Sequence, residues 1–316
     1  MSKLLIGTDE GVLSVSTDGG QVTRRDGPPS VGWLAKGADC AYAVTKEGAL
    51  WEEASDESWR LVNPRPVEEE IWSFDADPRI KGRLYLGVSP AMLYISDDGG
   101  KTWKECESLR SVPGYETWTF PPPPHIPHVR TISPDPAVAG AVYIGVEVGG
   151  LFRTADNGET WESLNEGLYW DVHVVCPDPN GSNIYAATGT GFHRSDDRGS
   201  HWQHVEAGLD RSYTDPLVAA PNRKGLLFTA AAATPPPGWQ PGANAAIYRS
   251  LDSGKSWSQL TEGLPAQFDE MVRPMAMGEA GAVYAAAGPQ LYASRDEGSA
   301  RELLALNLPT VRAMIA

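Results

Sequence analysis

One short pattern recurs along this chain and narrows what it can fold into: Ser or Thr, any residue, Asp, any residue, Gly, two residues, Trp. It reads SDDGGKTW from Ser96, TADNGETW from Thr154, SDDRGSHW from Ser195 and SLDSGKSW from Ser250. STDGGQVT from Ser16 and SRDEGSAR from Ser294 keep the turn and lose the Trp, and ASDESW ending at Trp59 is a shortened copy. The Asp carboxylate accepts hydrogen bonds from backbone N–H groups of its own turn. The Gly takes a positive φ, and the Trp covers the turn with a large apolar face. Asp98, Asp156, Asp197 and Asp252 are therefore expected to be structural, and the fold to be a modular one.

Each turn follows a second recurring element, a pair of β-like runs: LLIGTDEGVLSVS, AYAVTKEGALWEE, LYLGVSPAMLYIS, VYIGVEVGGLFRT, IYAATGTGFHRS, LLFTAAA with AAIYRS, and VYAAAGPQLYAS. That makes seven units. A further short run precedes most pairs, as in IWSFDADP, VRTISPDP and VHVVCPDP, and the first unit lacks it. The closing segment TVRAMIA, residues 310–316, fits the missing place. With 33 Gly, 26 Pro and no long helical periodicity, the expectation is all-β. The fold predicted is a seven-bladed β-propeller of four-stranded blades, one domain over 1–316, closed by the C-terminal strand joining the N-terminal blade.

The repeat resembles the Asp-box, or BNR, repeat of sialidase-like β-propellers, and the resemblance covers nearly the whole chain. Many members are bacterial proteins labelled glycosyl hydrolases by fold alone. The resemblance implies that each box is the hairpin between the third and fourth strands of a blade. Relatives with similar repeats that are not enzymes include the photosystem II assembly factor of chloroplasts and cyanobacteria and sortilin-type receptors.

In such a propeller the first strand of each blade lines the axis, and its opening residues ring the top of the channel. Aligned on the turns that follow them, these strands share an alternating column: Gly32, Ile71, Val129, Val172, Pro216, Val272 and Val311. Mostly apolar, it is expected to pack between blades. After it come Trp33, Trp72, Arg130, His173, Leu217, Arg273 and Arg312; before it come Val31, Glu70, His128, Asp171, Asp215, Met271 and Thr310. The longest insertions, about 107–127 and 232–244, fall on the same face, and Glu147 and Tyr213 enter it from strand ends. One face thus gathers His125, His128, Arg130, Glu147, Asp171, His173, Tyr213, Asp215, Arg273 and Arg312, with Trp72 beside them and Trp239 as a lid. The bland reading of so many charges is an internal salt-bridge network around a water-filled tunnel.

Three chemistries fit these residue types. Arg130, Arg273 and Arg312 can clamp a carboxylate or phosphate by forked bonds, with His125, Asp215, Trp72 and Trp239 completing a binding wall. His128, His173 and Glu147 have the ligand types for a divalent metal, the one cofactor considered. Without metal, His173 beside Asp171 can move a proton, so the catalytic candidates are His128, His173, Asp171, Glu147 and Tyr213. His193, His201 and His204 read as surface residues. The sialidase resemblance adds an arginine triad beside a Tyr–Glu pair and an acid, paralleled by Tyr213, Glu147 and Asp171. The chain departs from that family in having seven units and no early Arg-Ile-Pro, so glycosidase or sialidase activity itself is not expected. The function predicted is a hydrolase or lyase acting on a small anionic or hydroxylated substrate. The alternative is an interaction scaffold whose rim aromatics Tyr115, Trp118 and Trp239 bind a protein.

A net charge of −15 disfavours nucleic acid and anionic membranes as partners. Three scattered cysteines make no disulfide framework, and no run approaches a signal core or a span, so a cytoplasmic protein is expected.

Overall fold

The computed structural model describes residues 3–239, 242–278 and 281–316. The strands form seven four-stranded antiparallel sheets, each taking its strands in chain order except the first. That first sheet sets Val311–Ile315 beside Lys3–Thr8, followed by Gly11–Ser16 and Val22–Arg24. Leu5 faces Ile315 and Ile6 faces Met314, so the last strand completes the blade begun by the first. The inner strands of blades two to seven are Trp33–Lys36, Glu70–Ala76, Val129–Pro134, Val172–Pro177, Tyr213–Ala219 and Met275–Met277. Among the described residues no helix is long and apolar enough to cross a membrane.

The box turns close locally. Ser96 Oγ donates to Asp98 Oδ1 at 2.9 Å, the Gly100 N–H reaches Ser96 Oγ, and the Lys101 and Thr102 N–H groups reach Asp98 Oδ1 at 3.0 Å. The turns at Thr154, Ser195, Ser250 and Ser294 repeat the Ser/Thr–Asp and Gly bonds, the last without its Trp. The Thr102 and Thr160 hydroxyls and the His201 ring, with backbone N–H groups of the same turns, hold the Asp98, Asp156 and Asp197 carboxyls at about 2. In blade four Val142 pairs with Thr154 and Val146 with Gly150. The box after Thr154 therefore lies at the end of the blade opposite Glu147.

Neighbouring blades meet through valine on glycine. A Cβ on Gly7 would lie 2.4 Å from Val31 Cγ1, one on Gly87 2.7 Å from Val129 Cγ1, and one on Gly145 2.8 Å from Val172 Cγ1. These approaches are why GT or GV closes those second strands. They also correct two places in the expected column. In blade two Val31, not Gly32, packs on the preceding blade. In blade six the position belongs to Thr214, whose hydroxyl bonds the Thr188 carbonyl and N–H, rather than to Pro216.

The insertion at 107–127 is ordered by two short 3-10 turns, Glu107–Ser111 and Tyr115–Thr117. It buries Leu109, Val112 and Trp118, the last against Phe152 with ring centroids 5.1 Å apart. Trp118 is thus a core residue and not an exposed rim aromatic. In the insertion at 232–244, Gln240 and Pro241 lie outside the described residues.

Candidate functional site

Four consecutive inner strands carry a β-bulge at the same level. Pairing with the second strand shifts between Ile71 and Ser73, Val129 and Thr131, Val172 and Val174, and Thr214 and Leu217. The residues left over are Trp72, Arg130, His173 and, in blade six, Asp215 with Pro216. A bulge turns its extra residue out of the ladder, so these strands present a side chain at a fixed station. Blade six accordingly offers Asp215 where Leu217 was expected, and Tyr213 at the station of His128 and Asp171.

A charged network joins the stations. Glu147 follows the strand Val142–Val146, and its turn is tied to blade five by Gly149 and Gly150 N–H groups donating to the Trp170 carbonyl at 3.2 and 3.0 Å. Glu147 Oε2 accepts from His128 Nε2 at 3.0 Å and from Arg130 Nη1 at 2.6 Å. Arg130 Nη2 reaches Asp215 Oδ2 at 3.3 Å, and Arg273 Nη1 reaches the same oxygen at 3.0 Å. Burial alone would push the Glu147 carboxyl up; the His128 bond and the Arg130 charge overcome it and hold it at about 2. Burial also opposes ionisation of Asp215, and the Arg130 and Arg273 charges overcome that in turn, so it is held below its ordinary value. Tyr213 is pushed up to about 12, mainly by burial.

His173 is arranged differently. Its Nδ1 donates to the Thr214 carbonyl of the next blade at 2.9 Å. Its Nε2 lies 3.4 Å from Asp171 Oδ1, and both atoms are buried without a hydrogen-bond partner among the described residues. Asp171 is seated by the Gly189 N–H on its carbonyl, and a Cβ on Gly189 would come within 2.4 Å of its Oδ2. Ligand atoms of Glu147, Asp171 and His173 all lie within 4.8 Å of one another. Among the described residues these three form the grouping suited to a cation. His128, expected beside them, instead spends its Nε2 on Glu147 and stacks on Trp72 at 3.5 Å between centroids.

Aromatic side chains wall the cluster. Phe120, from the 107–127 insertion, meets His128 edge-on at 4.7 Å; Trp239 meets Tyr213 edge-on at 5.7 Å and lies under the Arg273 guanidinium at 5.5 Å. Trp170 is 57% exposed beside Asp171. Phe120 and Trp170 were missing from the sequence reading; their signal was adjacency to a first-strand residue and to the proline-rich insertion.

Two expected members stand apart. Arg312 pairs with Asp9 through both carboxylate oxygens at 2.9 and 3.0 Å, so the three arginines do not share one partner. His125 is exposed in its loop, with Nδ1 on the Phe120 carbonyl at 2.8 Å. Of the three histidines read as surface residues, His193 is instead buried, stacked on His204 at 4.7 Å, and burial pushes it down to about 4. Two top-face clefts, of about 740 and 590 Å³, both reach Arg312, and the second continues to Arg273 and Trp239.

No family model matches the chain. It is 25% identical over 222 residues to an oligoxyloglucan-reducing end-specific xyloglucanase of Emericella nidulans, over 57% of this chain and 26% of that protein. To a xyloglucanase of Hypocrea jecorina it is 24% identical over 210 residues, 60% of this chain and 23% of that one. The chain thus spans about a quarter of the length of these relatives. Among solved structures it resembles a GH74 enzyme of Niastella koreensis, with a TM-score of 0.63 and 12% identity over 99% of this chain and 66% of that one. It also resembles YCF48 bound to D1 peptide, with a TM-score of 0.59 and 16% identity over 86% of this chain and 81% of that one. At these identities the structural likeness concerns the seven-bladed fold.

Proposed function

We propose that this protein is a hydrolase acting on a hydroxylated, sugar-like substrate laid across the top face, with Glu147, Asp171 and His173 as its reacting centre. The observation that carries the reading is the pair His173 Nε2 and Asp171 Oδ1, buried, adjacent and, among the described residues, without a hydrogen-bond partner. Leaving two such atoms unsatisfied is costly unless they have a use. The two atoms lie side by side, where a group that activates a nucleophile, or the nucleophile itself, can be held.

The charges favour a hydroxylated over an anionic substrate. Arg130 pairs with Glu147 and Asp215, Arg273 with Asp215, and Arg312 with Asp9. No guanidinium of the ring is left to meet an anion unopposed. Exposed Trp170 beside Asp171, and Trp239 on the far side of Tyr213, suit the apolar faces of sugar rings, and the two clefts meeting at Arg312 accommodate an extended chain. The likeness to xyloglucanases favours glycosidic bonds, which the sequence reading set aside.

The test is release of reducing ends from a panel of neutral polysaccharides, xyloglucan included. Wild-type protein should release them, and Asp171→Asn should slow release at least a hundredfold, the scale of a general acid or base, while leaving the melting temperature within a few degrees. No release from any substrate, or an unimpaired Asp171→Asn, would overturn the reading.

A second reading is a scaffold whose top face holds a peptide. It is favoured by one observation: YCF48 bound to D1 peptide matches this chain over most of both lengths, whereas the xyloglucanases are about four times longer than the matched part. On that reading Trp170→Ala weakens partner binding and Asp171→Asn does not.

A further inference from the structure

We infer that Glu147, Asp171 and His173 bind a divalent metal ion, zinc in preference to magnesium. The inference deepens the hydrolase reading and rests on the same residues, but it makes a separate claim about what sits between them.

The geometry supplies the first argument. At 3.4 Å, His173 Nε2 and Asp171 Oδ1 are too far apart for a good hydrogen bond. Two ligands about 2.1 Å from a tetrahedral ion stand about 3.4 Å apart, whereas an octahedral arrangement at that bond length would bring them to about 3.0 Å. The pair is spaced as an edge of a tetrahedral site.

The second argument is the hydrogen-bond pattern. A ligating imidazole commonly donates its other N–H to a backbone carbonyl or carboxylate, which fixes the ring and frees the ligating nitrogen. His173 does this, giving Nδ1–H to the Thr214 carbonyl and leaving the Nε2 lone pair on the Asp171 side. Glu147 is oriented by His128 and Arg130, and both of those bonds fall on Oε2, so Oε1 carries neither. Gly189 leaves room for the Asp171 carboxylate where any side chain would push it aside.

The third argument is charge. Among the described residues Arg130 and Arg273 pair with Glu147 and Asp215, while Asp171 lies against His173 and no arginine, so this part of the ring holds three carboxylates to two arginines, an acidic surplus. A dication offsets it; an anion would not. One nitrogen with two carboxylate oxygens suits zinc or manganese better than magnesium, which keeps most of its waters.

The experiment is calorimetric titration of the full chain, stripped by chelator and dialysed, with ZnCl2, MnCl2 and MgCl2 in turn. The expected result is a saturable one-site isotherm for Zn2+, weaker for Mn2+ and absent for Mg2+. His173→Ala and the near-isosteric Asp171→Asn should each weaken Zn2+ binding at least tenfold, with circular dichroism confirming that both variants are folded. Gly189→Ala, which alters no ligand, should weaken it as well. No saturable Zn2+ binding, or binding unchanged in the folded Asp171→Asn, overturns the inference. Polysaccharide turnover without Zn2+ binding would refute the ion and leave the hydrolase reading standing; Zn2+ binding without turnover would support the ion and count against that reading.

Discussion

Arg130 of blade four and Asp215 of blade six pair at 3.3 Å, reaching past blade five to connect strands 85 residues apart in the chain. Arg130 holds Glu147 with its other terminal nitrogen, so one guanidinium fixes both acids of the network. Its side chain is only 19% exposed, and little of that restraint is shared with solvent.

Replacing Arg130 with Met should therefore take one partner from each of two buried carboxylates, leaving Glu147 with His128 and Asp215 with Arg273. Removing one side of a buried ion pair costs about 3–5 kcal/mol, and a loss of that size is expected in chemical denaturation. The Glu147 carboxyl, freed of Arg130, should titrate higher than about 2. A loss below about 1 kcal/mol would mean that water already screens the pair.

Asp75, on the inner strand of blade three, gives a pH-dependent prediction. Burial pushes its carboxyl from 3.8 to about 7, against a bond from the Ala76 N–H and with help from the Asp77 charge. A carboxyl whose folded value is raised destabilises the fold wherever the unfolded chain would ionise it, and fully once it is charged in the fold as well. That contribution is full above about pH 7 and fades as pH falls toward 4, where the unfolded chain is protonated too. Asp75→Asn should accordingly raise the melting temperature at pH 8 and leave it unchanged at pH 4.

The box carboxylates predict the opposite branch. Asp98, Asp156 and Asp197 are held at about 2 by hydrogen bonds from their own turns, against an ordinary 3.8. Their contribution is present above about pH 4 and lost as pH falls toward 2. Melting scans of Asp98→Asn should be flatter than wild type between pH 4 and pH 2, with the two curves converging at the acid end.

What could be read from the sequence, and what could not, divides by distance along the chain. A box closes within eight residues, as from Ser96 to Trp103, so its spacing survives in the string. Glycines closing the second strands were visible, but not that Gly87 and Gly145 receive the valine of the next blade. Bulges were invisible because they exist only in the pairing of two strands. That is why Pro216 stood in for Thr214, and why Tyr213 and Asp215 were placed without their stations. The choice of partners, Arg312 with Asp9 and Arg273 with Asp215, joins residues 303 and 58 apart and leaves no local trace.

Gly145→Ala tests the seam between blades four and five. The added carbon would sit 2.6 Å from Thr131 Cγ2 and 2.8 Å from Val172 Cγ1, inside van der Waals contact with two blades at once. Overpacking of this kind costs about 1–3 kcal/mol, and denaturant midpoints should fall accordingly. Because Val172 adjoins both Asp171 and His173, the variant should also reduce turnover.

The bulges at one level of four neighbouring inner strands have a consequence for how the chemistry of such a ring can change. Each separates the side chain it presents from the ladder that holds the blade, so a station can be reassigned while the hydrogen-bonded frame stays as it is. Trp72, Arg130, His173 and Asp215 already show four unlike occupants: an aromatic, a cation, an imidazole and an acid. A new substrate preference can then arise from one substitution in one blade, without a compensating change in the other six.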